Sequence, residues 1–389
     1  MGNINRTGSL DSGSNDTLYQ RAIAWLAAPA NQTDDAVYTI ALGTNQSYTG
    51  SATFTDAQTA SITAPAAGQT VYAGRSFTIV LTAVGSGEKV ITVSGNGSAL
   101  VVRNGVTLII EKNVAFEHSN GGNPSGTANN SALITVQDGG KLILDGGEIR
   151  KNYKSGALSP RTYIGNGAGV ELNADGNDIS GTGGEAYFIM NSGKVTQNRI
   201  MPSEDNAAAG GVGMAYKSYF VMHGGEVSGN EAIMQTSDAN AYGISGGIAG
   251  FFSVSLGGST GTVQSRTNMQ AFYMTGGAVK GNALSRTSGN TNPQISTGGI
   301  MLQGTFQKTG GTISDNTNDL TAGISRTNVA VHFGTSNTTT NQNTVHWWRD
   351  TAVGEDVILF TIGIKTGSPN NNAAGTVSKP VWAPDNWGK

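Results

Sequence analysis

One phrase, Phe-x-Met-x-Gly-Gly-x-Val-x-x-Asn, returns along the chain and limits what it can fold into. It occurs as FVMHGGEVSGN at 220–230 and FYMTGGAVKGN at 272–282. Looser copies are LILDGGEIRKN at 142–152, FIMNSGKVTQN at 188–198 and FQKTGGTISDN at 306–316. Self-similarity of this kind marks a repeat architecture, in which each unit buries its apolar face against its neighbours.

The segments around the repeat read as strands. VYTIAL (37–42), SFTIVLTAV (76–84), KVITVSG (89–95), ALVV (99–102) and VTLII (106–110) are rich in β-branched residues and bounded by turn formers. No helical period intervenes, which disfavours strands joined by helices. The interval from Asn198 to Asn230 is shorter than a propeller blade of roughly 40–45 residues, yet fits one coil of a three-sided solenoid. Longer intervals carry polar insertions at 173–184, 203–211 and 257–270. A second seed, Gly-Gly-Val/Ile at 210–212, 246–248 and 298–300, supplies another strand per coil. The expected faces are therefore the Gly-Gly-Ile strand, the Phe-x-Met strand and the Gly-x-Val strand.

Stacking coils sets like upon like. Leu108, Leu142, Phe188, Phe220, Phe272 and Phe306 form one inward column. Ile110, Leu144, Met190, Met222 and Met274 form a second, and Ile149, Val195, Val227, Val279 and Ile313 a third. Alternation turns Ile109, Ile143, Ile189, Val221 and Tyr273 outward, a column large enough to need a cover or a partner. Asn198, Asn230, Asn282 and Asn316, with Asn152, are expected at one corner, where Asn suits the left-handed turn conformation and its amides can form a ladder between coils. Lys308 stands where the methionine column should continue, so the stack should end or open to water there.

The phrase resembles the repeat of bacterial cell-surface right-handed parallel β-helix proteins. The resemblance covers roughly residues 70–335, including VTLIIEKNVAFEHS and LITVQDGGKLIL ahead of the repeats. It implies an all-β, pectate-lyase-like fold and a surface or secreted adhesion or scaffold role. The expected architecture is a single right-handed parallel β-helix of about nine coils. Residues 1–36 are expected to be a lead-in and capping helix, with Thr17 and Gln20 at capping-box spacing and Leu18, Ala22, Trp25 and Leu26 as its apolar stripe. Residues 37–335 form the β-helix, and 336–389 a closing coil, cap and tail carrying Trp347-Trp348 and VILFTIGI.

Composition narrows the function. A net charge of −3 with no basic run argues against nucleic acid, no apolar run is long enough for a transmembrane helix, and the lack of cysteine excludes thiolate chemistry. The expected location is outside the cell with a signal peptide already removed. The fold implied by the resemblance also carries polysaccharide lyases and hydrolases, which need paired carboxylates. The adjacent acids Asp34-Asp35, Glu204-Asp205 and Glu355-Asp356 read as solvated loop or edge residues. Ile364-Lys365-Thr366 matches part of the polygalacturonase Arg-Ile-Lys motif, but Gly363 replaces the arginine. No catalytic residue is assigned.

Asn173, Asp175 and Asp178 have the alternating oxygen ligands of a Ca²⁺ loop but lack its later Glu, so a polar turn is the preferred reading and no cofactor is expected. His118, His223, His332 and His346 lack metal-ligand spacing. Trp347, Trp348 and Tyr273 are the candidate contacts for a carbohydrate or a partner, although closure of the core is the preferred reading for the two tryptophans. The expected function is a non-enzymatic adhesion, binding or scaffold module whose partner is another protein, a surface glycan or a second copy. The alternative is a carbohydrate-active or carbohydrate-binding protein.

Overall fold

The computed structural model describes residues 3–5, 37–49, 52–55, 76–103, 105–156, 166–172, 185–202, 208–215, 217–234, 242–250, 270–287, 295–302, 305–319, 324–326, 329–332 and 345–348. These residues are strand, turn and bend, with no helix among them. The capping helix expected before residue 37 lies outside them. Asn3–Asn5 is described, and is a strand pairing in parallel with Val37–Thr39.

The strands form four sheets, of fifteen, nine, five and five strands. From Lys141 onward the chain visits them in a fixed order. Lys141–Arg150 lies in the fifteen-stranded long sheet, and Tyr153–Gly156 in the first five-stranded sheet. Asn166–Gly167 lies in the second five-stranded sheet and Val170–Leu172 in the nine-stranded one. Ala186–Thr196 then returns to the long sheet in parallel register with Lys141–Arg150. The same circuit recurs through Val329–His332.

Register places like residues on like. Leu108 pairs with Leu142, Leu142 with Phe188, Phe188 with Phe220, Phe220 with Phe272 and Phe272 with Phe306. The four phenyl rings stack with centroids 4.6, 4.8 and 5.4 Å apart. All three inward columns are buried in one core cluster between the long and nine-stranded sheets. A smaller cluster, including Ile200, Ala232, Met234, Ile244 and Leu284, is contributed largely by the two five-stranded sheets.

Two expectations about the faces need correcting. The Phe-x-Met and Gly-x-Val halves of the phrase lie in one sheet, not on two faces. Between Leu144 and Glu148 the register slips while the strand Lys141–Arg150 continues, whereas the copies from Phe220 onward break at the glycines into two strands, such as Ser218–Met222 and Glu226–Ser228, that both pair within the long sheet. The two five-stranded sheets went unanticipated, because their strands are short and carry few large side chains, as in Ala208–Ala209.

Met274 pairs with Lys308, and the main path of the long sheet ends on that strand. Lys308 is half-buried and takes the register position of the methionine column. Beyond it, Val345–Trp348 pairs antiparallel with Val329–His332, the only antiparallel pairing among the described strands. VILFTIGI and the tail lie outside the described residues.

Candidate functional site

Every repeat turns at its asparagine. The residue before it takes the left-handed conformation: Lys151 (φ 57), Gln197 (φ 56), Gly229 (φ 62), Gly281 (φ 60) and Asp315 (φ 55). The asparagines themselves were expected to occupy that conformation. Instead their buried side chains are committed to hydrogen bonds. Asn230 Nδ2 donates to Val195 O (2.9 Å) and to Asn282 Oδ1 (3.0 Å), while its Oδ1 accepts from Asn198 N (3.0 Å) and Asn198 Nδ2 (3.1 Å). Asn282 repeats the pattern toward Asn316, donating to Val227 O (2.9 Å) and Asn316 Oδ1 (2.9 Å). The row continues upward through Asn198 Oδ1, which accepts from Asn152 N (3.2 Å), and through Asn152 Oδ1, which accepts from Asn129 Nδ2 (3.3 Å). The glycine opposite each rung leaves this room: a Cβ on Gly211 would lie 2.5 Å from Gly247 O and 3.1 Å from Asn230 Nδ2.

Asn129 is the member that spacing could not reveal. Phe116 pairs with Ile149, yet Asn152 follows Ile149 closely whereas Asn129 follows Phe116 only after the inserted stretch 119–128. That insertion walls a cavity of about 330 Å³, lined by Gly95, Asn96, His118, Ser119, Asn120 and Thr127 among others. His118 forms part of the wall at 4% exposure. Its Nδ1 accepts from Asn120 N (3.1 Å), so its Nε2 carries the proton and donates to Gly95 O (2.8 Å). Asn120 in turn accepts from Tyr153 N (3.1 Å) and donates to Tyr153 O (2.9 Å).

The outer face of the long sheet has three zones. At one edge Tyr187 stacks on Tyr219 (4.8 Å), and Lys141 Nζ lies 5.7 Å from the Tyr187 centroid. Both hydroxyls donate to Glu185. Burial first, then the Glu185 carboxylate, pushes both phenol pKa values well above the usual tyrosine range. Next lies the apolar column. Ile109, Ile143, Ile189 and Val221 are half-buried, and Tyr273 is only 6% exposed. Tyr273 faces outward in register but is covered, so its ring offers little to a ligand.

The far edge is charged. Arg150 bonds Glu88 (2.7 Å) and Glu148 (2.7 Å), with Glu117 at 3.4 Å. Burial opposes its charge, but the bonds and charges of Glu88 and Glu148 outweigh burial and raise its pKa. Further along, Lys280 donates to Glu226 (2.7 Å) and holds that carboxyl below the usual range. Between apolar and charged zones, Glu111 and Asp145 stand in register on neighbouring strands, a pairing the sequence reading missed.

His223 lies in the repeat turn, half-buried, with Nδ1 2.8 Å from Thr275 Oγ1 of the next rung. Trp347 and Trp348 are on the terminal strand of the nine-stranded sheet, whereas Tyr273 is on the long sheet, so the three candidate contact residues are not gathered on one sheet. Asn173, Asp175 and Asp178 and the three adjacent acid pairs lie outside the described residues. Among those described, no three His, Asp or Glu side chains are grouped to hold a metal ion. Comparison with family models, curated proteins and solved structures found no match for this chain.

Proposed function

We propose that the chain winds into a right-handed parallel β-helix and works outside the cell as a rigid, non-enzymatic binding and scaffold module. The observation that carries this reading is the fixed order in which the chain revisits the four sheets, with side chains in register from rung to rung. A parallel return through a separate sheet is overwhelmingly right-handed, because twisted strands pack back onto the sheet only that way. Nine strands lie along the main path of the long sheet. At roughly 4.8 Å per strand the rod core would be about 40 Å long. A rigid rod of this kind presents its loops at fixed positions, which suits a glycan, another protein or a second copy as partner.

The register of Glu111 with Asp145 favours a second reading, a polysaccharide-active enzyme. Neighbouring strands roughly 5 Å apart could bring two carboxylates to the spacing of a retaining glycosidase. One pair of measurements tests both readings. Small-angle scattering should give a rod-like cross-section, and a compact globular profile would overturn the β-helix. Incubation with neutral and acidic polysaccharides should release neither reducing ends nor unsaturated uronates. Release that is lost in Asp145→Asn would replace the scaffold reading with the enzyme.

A further inference from the structure

The geometry points to the cavity beside His118 as a binding site for an uncharged polyhydroxylated ligand, a neutral sugar unit. This names a ligand class for the binding role proposed above, and it does not require the chain to be a closed rod.

Size is the first argument. About 330 Å³ is at the small end of ligand sites, of order 300–1,000 Å³, and suits one or two sugar rings.

Rigidity is the second. The wall around Gly95–Gly97 is clamped from inside by Asn129, whose Oδ1 accepts from Gly97 N (3.0 Å) and whose Nδ2 donates to Gly97 O (3.2 Å). The opposite wall is clamped by Asn120 onto Tyr153, and Asn120 Oδ1 also accepts from Gly122 N (3.0 Å). Within that wall Asn123 accepts from Ser125 N (3.0 Å) through its side chain and from Gly126 N (2.9 Å) through its carbonyl. Both ring nitrogens of His118 are engaged, so the imidazole cannot reorient without losing a bond. Walls ordered before a ligand arrives reduce the entropy lost on binding.

Chemistry is the third. Asn96, Ser119 and Thr127 are exposed at the cavity, and among the described residues no hydrogen bond engages their side chains. They offer one amide and two hydroxyls, groups that both donate and accept. Among the described residues, none that lines the cavity is acidic, and none is Lys or Arg. Charged side chains on adjoining segments are already paired: Lys151 and Arg150 with Glu117, and Arg199 with Gly122 O (2.9 Å) and Glu231 (2.9 Å). A charged ligand would find no countercharge, and an apolar one would strand the amide. Sugar hydroxyls meet donors and acceptors together.

The test is saturation-transfer NMR on the full chain at millimolar maltose, cellobiose, mannobiose or N,N′-diacetylchitobiose, with digalacturonic acid as the charged probe. At least one neutral disaccharide should receive saturation. The doubly substituted Asn96→Ala/Thr127→Val protein should bind it at least about tenfold more weakly, at an unchanged melting temperature, because two hydrogen-bonding groups are lost from exposed positions. Three results would overturn the site: no transfer to any neutral probe, undiminished binding by the double variant, or preference for digalacturonic acid. The first leaves the rod reading standing, since scattering tests that separately.

Discussion

Asn230→Ala is the most direct test of what holds successive rungs together. The substitution removes four side-chain bonds from a buried corner. It strands the Val195 carbonyl, the Asn198 N–H and one proton of the Asn198 amide. Asn282 Oδ1 retains its bond from the Asn230 backbone N–H, 3.0 Å away. Each stranded buried group costs about 1–3 kcal/mol, and water entering the vacated volume relieves part of this, so the expected loss is about 4 kcal/mol. A typical domain has only about 5–15 kcal/mol of stability, so the change should be plain in urea unfolding followed by far-UV circular dichroism with the m-value checked. Asn191→Ala is the control, an exposed position in the same phrase that should shift stability by less than about 0.5 kcal/mol. Asn230→Asp keeps the shape but sets a carboxyl against the Val195 carbonyl. Its folded form must hold the proton, so its stability deficit should grow as pH rises above about 4. A cost below about 1 kcal/mol for Asn230→Ala, or one equal to the control, would refute the ladder as a source of stability.

Three further outcomes are expected. Gly247→Ala should cost at least about 1–3 kcal/mol, because its Cβ would meet Gly299 O at 2.5 Å, whereas Gly281→Asn should cost less, since nothing lies within 4 Å of that Cβ and Lys151, Gln197 and Asp315 already hold the equivalent conformation; paired thermal melts compare them. Lys154 and Glu171 form a buried ion pair, so Lys154→Met should cost about 3–5 kcal/mol by leaving the carboxylate alone, while the double substitution Lys154→Met/Glu171→Leu should recover most of that in chemical denaturation. The raised phenol pKa values of Tyr187 and Tyr219 favour the protonated folded form, so their stabilisation is complete below the unfolded tyrosine value near 10 and declines above it; Tyr187→Phe/Tyr219→Phe should flatten the fall in stability on going from about pH 9 to 11.

The inward columns were legible because stacking demands the same shape at every rung, and Phe188, Phe220, Phe272 and Phe306 write that demand directly into the sequence. The asparagines were legible as a position but not as a conformation. Intrinsic preference assigns the left-handed residue to Asn, yet a side chain tied to two rungs serves better one step later, and the preceding residue takes the turn. Asn129 was hidden by the insertion before it. The Lys154–Glu171 pair was hidden because it joins strands of two different sheets, a contact that no local spacing encodes. Tyr273 was read correctly as outward in register, but alternation tells only which way a side chain faces. It does not tell what covers that side, and Tyr273 proves to be buried.

Corner and loop obey different constraints, and the ladder makes the difference measurable. Successive asparagines are separated by 32, 52 and 34 residues from Asn198 to Asn316, while their amide-to-amide bonds stay at 3.1, 3.0 and 2.9 Å. Chain length between rungs therefore varies without cost to the stack, because a longer surface loop adds only slowly to closure entropy. At the corner no such freedom exists, since a Cβ on the facing glycine would collide with the next rung's carbonyl. Change is tolerated in the insertions and penalised at the corner. The insertion 119–128 illustrates the outcome: it displaces Asn129 in sequence yet leaves it bonded to Asn152, and the displaced residues wall the cavity. On the binding role proposed above, recognition would belong to the insertions, held at fixed height by a corner that repeats.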